Sequence, residues 1–209
     1  MRVLLLLLSA FLILVLVWSQ QEQRPRSSGT HLYLTTFLSP TDFEAVWTDY
    51  LERVGEMQPQ RNARLHRDNS FVSTDSIVYR ILSKPEYVDA VIRGMNLPES
   101  DLQRNWFLSR NHPIEYRRYT VGGRMARHRD TQLYRIPQVE CILTLSNTSD
   151  GRTEFETDDG VDSISSLPNS VLAVRAGPQG VFHTVTEVTR GERCFVKFIL
   201  TCTDDWVSE

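Results

Sequence analysis

The chain has 209 residues, of which 41% are hydrophobic and 23% are charged, and its formal net charge at pH 7 is -3. This composition is that of an ordinary folded protein whose length suits a single domain with a sizeable core. A charge this close to zero gives no overall basic field, which argues against a nucleic-acid partner.

An uncharged apolar run extends from Val3 to Trp18. It is shorter than the roughly 20 residues that a spanning helix needs, and Val17 and Ser19 fit the small-residue rule for signal-peptidase cleavage after Ser19. Residues 1–19 are therefore predicted to be a signal peptide or an uncleaved signal anchor, with residues 3–18 as the membrane anchor in the second case. A polar linker over residues 20–30 follows. Either form would direct the chain into the secretory pathway, as an endoplasmic reticulum lumen protein that is anchored or secreted.

Residues 31–207 are predicted to form one domain, which starts with a short strand in "HLYLTTF". A helix is predicted next, because Ser39 is a good N-cap, Pro40 suits the first helical position, and apolar residues then recur at intervals of three and four. The run "SIVYRIL" is predicted to be a strand. The run "PEYVDAVIRGM" is predicted to be a second helix that begins at its proline and stops at Gly94.

From Glu115 onward the sequence changes to short β-rich runs separated by Asn, Gly, Asp and Pro. These runs are "EYRRYT", "VECILTLS", "TEFET", "SVLAVRA", "VFHTVTEV" and "RCFVKFILTCT". Several short strands with regular turn signals predict a sandwich or a barrel. The expected fold class is α+β and mainly β, with N-terminal helices packed against a C-terminal antiparallel β-structure.

The cysteines predict neither a metal site nor a disulfide framework. Cys141, Cys194 and Cys202 are odd in number and lack the spacing of metal ligands, so we expect them to be buried as small hydrophobic residues. Asn147 begins an Asn-Thr-Ser sequon and is a candidate glycosylation site if the chain enters the secretory lumen.

Two His-Arg-Asp triplets, at residues 66–68 and 128–130, raise the question of a catalytic loop. A protein kinase would need an asparagine five residues after the aspartate, together with a glycine-rich loop. Ser73 and Arg135 occupy those positions, and no Gly-x-Gly-x-x-Gly motif is present. The kinase interpretation is excluded.

On a β-strand the same residues could bind a metal, because side chains at i and i+2 project from one face. His128 and Asp130 fit this arrangement, and so do His66 and Asp68, so that spacing alone does not choose between the triplets. A third ligand, His183, follows in the same β-rich region as the second triplet. Two histidines and one carboxylate form the facial triad of non-haem Fe(II) oxygenases, which leaves open coordination positions.

Arginines are concentrated near this candidate site. Arg193 follows His183 by ten residues on the next predicted strand, where its guanidinium would suit a dicarboxylate or would simply face solvent. Six more arginines surround the second triplet, either as a solvated strand rim or as a mouth that attracts an anion: Arg117, Arg118, Arg124, Arg127, Arg129 and Arg135.

Taken as a set, these motifs give the segment from Tyr119 to Thr201 a resemblance to the 2-oxoglutarate- and Fe(II)-dependent dioxygenases, in the prolyl 4-hydroxylase-like branch. The branch pattern Tyr-x-x-Gly-x-x-x-x-x-His-x-Asp matches Tyr119, Gly122, His128 and Asp130. The segments "DGRTEF" and "LPNSVLAV" are similar to two further family motifs, the second with Ser170 in place of a glycine. The resemblance covers most of residues 33–203, and it implies a double-stranded β-helix (jelly-roll) core over about residues 115–203.

The resemblance also implies a set of ligands and co-reactants. Fe(II) would be bound by His128, Asp130 and His183, and the distal carboxylate of 2-oxoglutarate by Arg193. Tyr119, Thr144 and Thr201 would assist with the co-substrate. Dioxygen is the oxidant, and ascorbate is expected as a helper reductant. Two departures concern the co-substrate and substrate contacts, since Met125 stands where many members have tyrosine and Arg152 replaces an acidic residue.

The activity that this resemblance implies is hydroxylation of a peptide or protein, most simply at proline, with release of succinate and CO2. Two alternatives stay open at this point. One keeps the iron chemistry with a nucleic-acid base or a small molecule as substrate, although the apolar leader argues against nucleic acid. The other is a β-helix binding module without catalysis, which the full set of ligands disfavours. The oligomeric state is not predicted.

Overall fold

The computed structural model describes residues 26, 27 and 29–205. The predicted signal segment and most of the predicted linker therefore lie outside the described residues. Within the described part of the chain, no helix is both long and apolar enough to cross a membrane.

Among the described residues, four helices lie in the N-terminal half, and two short 3-10 turns occur at Val54–Glu56 and Gly177–Gln179. The helices are α1 (Pro40–Arg53), α2 (Ile77–Leu82), α3 (Pro85–Gly94) and α4 (Glu99–Leu102). The start of α1 is as predicted, because the Ser39 hydroxyl accepts a hydrogen bond from the Asp42 amide and Pro40 takes the first position. Helix α3 is also confirmed, including its end at Gly94.

The strand prediction for "SIVYRIL" was wrong, because this run forms α2. The Ser76 hydroxyl accepts from the Tyr79 amide and caps the helix, while Val78, Ile81 and Leu82 are buried. These residues lie at positions i, i+3 and i+4, so they share one face of the helix. Packing of this face outweighs the strand preference of the β-branched residues in the run.

Thirteen strands join in a single hydrogen-bonded sheet. They are β1 (Arg26–Ser27), β2 (His31–Leu34), β3 (Gln58–Arg61), β4 (Leu65–Val72), β5 (Phe107–Leu108), β6 (Ile114–Tyr119), β7 (Arg124–His128), β8 (Gln138–Asn147), β9 (Thr153–Thr157), β10 (Gly160–Ile164), β11 (Ser170–Arg175), β12 (His183–Val185) and β13 (Arg193–Thr201).

The sheet runs in the order β1-β2-β11-β8-β13-β6-β4-β7-β12-β9-β10, with β3 beside β4 and β5 beside β13. It curls so far that its two ends meet. His31 of β2 lies 3.0 Å from Asp162 of β10 and stacks on Phe155 of β9, with the ring centroids 4.3 Å apart. The strand path therefore encloses an interior, as in the double-stranded β-helix that the sequence predicts.

Alternate residues of β8 separate two cores, because successive side chains of a strand point to opposite faces. Val139, Cys141 and Leu143 face outward and pack with the helices in the larger core. Glu140 and Ile142 face inward and line a cavity. The helices thus support one wall of the β-helix from outside and leave its interior free for a site.

The predicted fold class and the β-rich C-terminal half are confirmed. The strand predicted for "VFHTVTEV" is shorter than expected, since only three residues pair as β12. Strands β1, β3, β4, β5, β7 and β10 were not predicted. Cys141 and Cys194 are buried as expected, whereas Cys202 is partly exposed.

Candidate metal and co-substrate site

Pairing between β7 and β12 brings the three predicted metal ligands together. His128 ends β7, His183 begins β12, and the two residues are direct cross-strand partners. Asp130 follows two residues after His128 and lies between the rings, with carboxylate oxygens 3.6 Å from His128 Nε2 and 3.7 Å from His183 Nε2. Ligand atoms of all three residues lie within 4.8 Å of one another, and no other such group of three occurs among the described residues.

A hydrogen bond from the segment after β11 holds the loop that carries Asp130. The Gly177 amide donates a hydrogen bond of 2.9 Å to the Asp130 carbonyl. Gly177 adopts φ 75°, and a Cβ at this position would collide with Gln132. Glycine is required here because its backbone must enter the left-handed region while passing close to the ligand loop.

Both rings are turned so that Nε2 faces Asp130. His128 Nδ1 lies 2.9 Å from the Ala126 carbonyl, and His183 Nδ1 lies 3.2 Å from the Val181 carbonyl. A carbonyl oxygen can only accept, so Nδ1 of each ring carries the proton and Nε2 presents a lone pair. This is the arrangement in which a backbone carbonyl orients a metal-binding histidine.

The protonation states also suit metal binding. Burial raises the pKa of Asp130, but the two histidines outweigh it and hold that pKa below its ordinary value. Burial lowers the pKa of His183. For His128, burial is the largest single effect and acts in the same direction, but the hydrogen bond to Asp130, the charge of Asp130 and the Ala126 carbonyl together outweigh it and raise the pKa. Asp130 is thus an anion and His183 a neutral imidazole at neutral pH, which are the forms that bind metals.

The three ligands open into a cavity with an empty volume of about 520 Å³. Its wall is largely apolar, with Ile142, Phe155, Leu172, Val174, Val185 and Phe195 among the lining residues. An apolar wall with few polar groups is the usual composition of a small-molecule site.

Arg193 provides the cationic end of this cavity. Its side chain is only 1% exposed, and Nη2 donates to the hydroxyls of Thr153 and Ser166 at 3.2 Å each. Its Nε and Nη1 atoms have no hydrogen-bond partner within the described part of the chain, and no carboxylate pairs with it there. Burial lowers the pKa of Arg193 to about 10. A buried cation without a counter-ion is costly, which indicates a place for an anionic ligand.

Of the other residues predicted to contact the co-substrate, two lie near Arg193 and one lies far from it. Tyr119 lines the cavity and is the cross-strand partner of Arg193. Thr144 lies beside it, opposite Phe195, and its buried hydroxyl lacks a partner among the described residues. Thr201 lies at the far end of β13, where its hydroxyl donates to the Thr203 carbonyl. Met125 lies next to Tyr119, with its sulfur 3.8 Å from the tyrosine hydroxyl.

Several interior polar residues were missed from the sequence. Arg117 and Glu140 line the cavity, and Lys197 pairs with Glu140 at 3.2 Å. Strand parity could have found Lys197, because it lies four residues after Arg193 on the same face of β13. The register between strands, which brings Glu140 and Arg117 to the same interior, could not be read from the sequence.

The first triplet is used differently. Asp68 accepts hydrogen bonds from Arg61 Nη2 at 2.6 Å and from Arg118 Nη2 at 3.1 Å, so its carboxylate is already satisfied. Most of the arginine cluster is likewise paired, since Arg117, Arg118, Arg124 and Arg127 each have an acidic partner. For Arg118, Arg124 and Arg127 these pairs favour the interpretation of a charged strand rim, whereas Arg117 lines the cavity and belongs to the interior.

No family model matches the chain, and no curated protein matches it in sequence. Solved structures do match in fold. A prolyl-4-hydroxylase from Pseudomonas putida is 15% identical with a TM-score of 0.62, over 83% of this chain and 93% of that one. A Trichoplax adhaerens prolyl hydroxylase, in complex with a hypoxia-inducible factor oxygen degradation domain peptide fragment, is 13% identical with a TM-score of 0.60, over 82% and 84%. HygX from Streptomyces hygroscopicus, with nickel, 2-oxoglutarate and hygromycin B bound, is 11% identical with a TM-score of 0.57, over 84% of each chain.

These similarities extend over most of both chains, and they agree with the sequence motifs on the same segment. At such low identity they establish the architecture rather than the reaction. The chain has the fold of the 2-oxoglutarate- and Fe(II)-dependent oxygenases, as the prolyl 4-hydroxylase-like resemblance predicts.

Proposed function

We propose that this chain is an Fe(II)- and 2-oxoglutarate-dependent dioxygenase that hydroxylates a peptide or protein, most simply at proline. One observation carries the proposal: a buried arginine without a counter-ion shares a single cavity with a His-Asp-His cluster. A dicarboxylate that chelates a metal at one end and reaches Arg193 with the other satisfies both features.

The donor set fits Fe(II), because two neutral imidazole nitrogens and one carboxylate leave three coordination positions for other ligands. Bound there, Fe(II) would supply dioxygen activation coupled to the oxidative decarboxylation of 2-oxoglutarate. The reaction would consume R–H, O2 and 2-oxoglutarate and would yield R–OH, succinate and CO2. Ascorbate remains a predicted helper reductant.

The chain's own residues would bind and orient 2-oxoglutarate. Arg193 would form a bidentate pair with the distal carboxylate of 2-oxoglutarate, and the hydroxyls of Thr153 and Ser166 already hold its guanidinium in place. Tyr119 and Thr144 would add hydroxyl contacts at the same end. The apolar wall excludes water from the reacting centre, which strengthens the charge interactions inside it.

The proposed substrate class rests on the similar solved structures. Two similar structures are prolyl hydroxylases, one of them with a peptide bound, and they support a peptidyl substrate. The structure with hygromycin B bound favours a small molecule as the second candidate. An acceptor survey therefore has to include both.

Succinate release from 2-oxoglutarate tests the proposal. The full chain is incubated with Fe(II) and ascorbate, with and without a proline-rich peptide, beside His183→Ala and the matched control His66→Ala. We expect peptide-stimulated succinate that is lost in His183→Ala and retained in the control. Turnover without peptide stimulation would reject the peptidyl substrate. A protein that binds iron but gives no succinate would favour the binding-module alternative.

We also propose that the chain works in the secretory pathway, on the basis of the apolar run over residues 3–18. N-terminal sequencing of the protein from a secretory cell would give a start at residue 20 for a cleaved signal peptide. A start at Met1 in a membrane fraction would indicate an anchor, and a start at Met1 in the cytosol would contradict the proposal.

A further inference from the structure

Two arginines inside the β-helix, the buried Arg67 and Arg117 with its side chain 12% exposed, share a single carboxylate. Arg117 of β6 donates from Nε to Glu115 Oε2 at 2.8 Å, and Arg67 Nη2 of β4 lies 3.6 Å from the same oxygen. Arg67 is only 6% exposed, and its Nη1 has no hydrogen-bond partner among the residues that the structure describes. Burial, followed by the nearby Arg117, lowers the pKa of Arg67. The pair of arginines therefore retains positive charge that Glu115 does not neutralise.

A count of the charged side chains in the interior also gives an excess of positive charge. The cations are Arg67, Arg117, Arg193 and Lys197, and the carboxylates are Asp130, Glu115 and Glu140. The surplus is at least one positive charge, because burial and the neighbouring Asp130 raise the pKa of Glu140 and favour its neutral form. Fe(II) and the 2-oxoglutarate dianion would cancel each other, so the surplus would persist in the loaded protein. One further carboxylate would neutralise it.

The excess positive charge, at Arg117 and Arg67, lies away from the part of the cavity where Arg193 would bind 2-oxoglutarate. Arg193 pairs across the strands with Tyr119, whereas Arg117 pairs with Phe195, one step further along the same inner face. The Arg117 guanidinium extends from there toward Glu115, which is the partner of Lys197. Arg117 also lines the cavity together with Glu140 and Asp130. Its charge is thus offered to the space beside the metal ligands.

We propose that Arg117, supported by Arg67, binds a carboxylate of the substrate. This inference rests on the proposed function and narrows its substrate class to molecules with an acidic group close to the oxidised carbon. Guanidinium and carboxylate form paired, charge-assisted hydrogen bonds, and the free donors of Arg67 make the subsite stronger than a single arginine. The acid is supplied either by an acidic residue of a peptide or by a free amino-acid derivative.

Calorimetric titration of the full chain, loaded with Mn(II) and 2-oxoglutarate, tests this subsite. The probes are N-acetyl-L-glutamate and a capped Pro-Glu peptide, each compared with its glutamine counterpart. We expect each acid to bind roughly tenfold or more tightly than its amide, because a hydrogen bond to a charged group is worth more than one to a neutral group. Preference for the peptide or for the free acid identifies the source of the carboxylate.

The variants locate the effect. Arg117→Met should abolish the preference for acid over amide, and it should fold because Glu115 keeps Arg67 as its partner. Arg67→Met serves as the second variant and should weaken the preference. Arg124→Met is the matched control, since Arg124 is exposed and pairs with Glu187 on the surface.

The outcomes separate this proposal from the proposed function. Equal binding of acid and amide, or a preference that survives in Arg117→Met, would overturn the subsite while 2-oxoglutarate binding leaves the oxygenase proposal intact. Acids that compete with 2-oxoglutarate would assign Arg117 to the co-substrate and would also overturn the subsite. Failure of 2-oxoglutarate itself to bind would overturn both.

Discussion

Replacement of Arg193 by methionine should stabilise the protein without co-substrate and weaken its binding of 2-oxoglutarate. Burial lowers the pKa of Arg193 from its ordinary value to about 10, which corresponds to about 3 kcal/mol of unfavourable free energy for the buried charge. The exchange removes that cost but leaves the hydroxyls of Thr153 and Ser166 without a donor, at about 1 kcal/mol each. The net expectation is a gain of about 1 kcal/mol in the free energy of unfolding.

The binding effect has the opposite sign. Loss of one partner of a buried, hydrogen-bonded charge pair costs about 2–5 kcal/mol, so 2-oxoglutarate should bind Arg193→Met roughly 30-fold to several thousand-fold more weakly. Urea unfolding of the ligand-free protein measures the first effect, and calorimetric titration of the Mn(II)-loaded protein measures the second. Arg193→Lys is the control, because it keeps the charge and should keep most of the affinity without the gain in stability. A methionine variant that is clearly destabilised and binds 2-oxoglutarate normally would refute the reasoning.

Three further changes test other parts of the account. Asp130→Ala should abolish stoichiometric metal binding, whereas Asp68→Ala should retain it. Asp68→Ala should instead lower the free energy of unfolding by about 1–3 kcal/mol, because it leaves two arginines without their acceptor. Equal losses of metal binding would show that the wrong triplet was chosen. Gly177→Ala should lower the free energy of unfolding by about 1–2 kcal/mol, because alanine would have to adopt the left-handed backbone of Gly177. It should also weaken metal binding through the Asp130 loop, which chelator competition would measure. Unchanged stability would contradict this explanation. Burial, with Lys197 beside it, lowers the pKa of His112 to about 4, so the folded state resists a proton that the unfolded state accepts below about pH 6.5. Stability should therefore fall as the pH drops from about 6.5 toward 4, and urea unfolding of His112→Gln near pH 7 and about pH 5 should lose this contribution; an unchanged slope would contradict it.

The His-Asp-His cluster could be predicted in part because strand geometry is local. His128 and Asp130 share a face by alternation alone, and the β-rich region around His183 made convergence plausible. What selects this triplet over the first is long-range: β7 pairs with β12, while Asp68 is taken by two arginines. Only the family resemblance supplied that information before the structure was known.

The remaining differences have the same physical origin. The run that forms α2 has a strand-like composition, and its helical state depends on a cap and on the core that it packs against. The subsite around Arg117 depends on the register of three strands, which a single sequence does not encode in a readable way. The resemblance implies Thr201 as a co-substrate contact, but Thr201 lies at the opposite end of the nine-residue strand β13 from Arg193.

The central claim is that the His-Asp-His cluster and Arg193 jointly bind a metal and 2-oxoglutarate. An anaerobic titration of the full chain with Fe(II) and 2-oxoglutarate tests it most directly, by following the charge-transfer absorbance of a chelated 2-oxo acid. The account predicts a band that saturates at one equivalent of each, is absent in Asp130→Ala, and requires much more 2-oxoglutarate in Arg193→Met. A band that is unchanged in both variants, or no band in protein that binds 2-oxoglutarate, would contradict it.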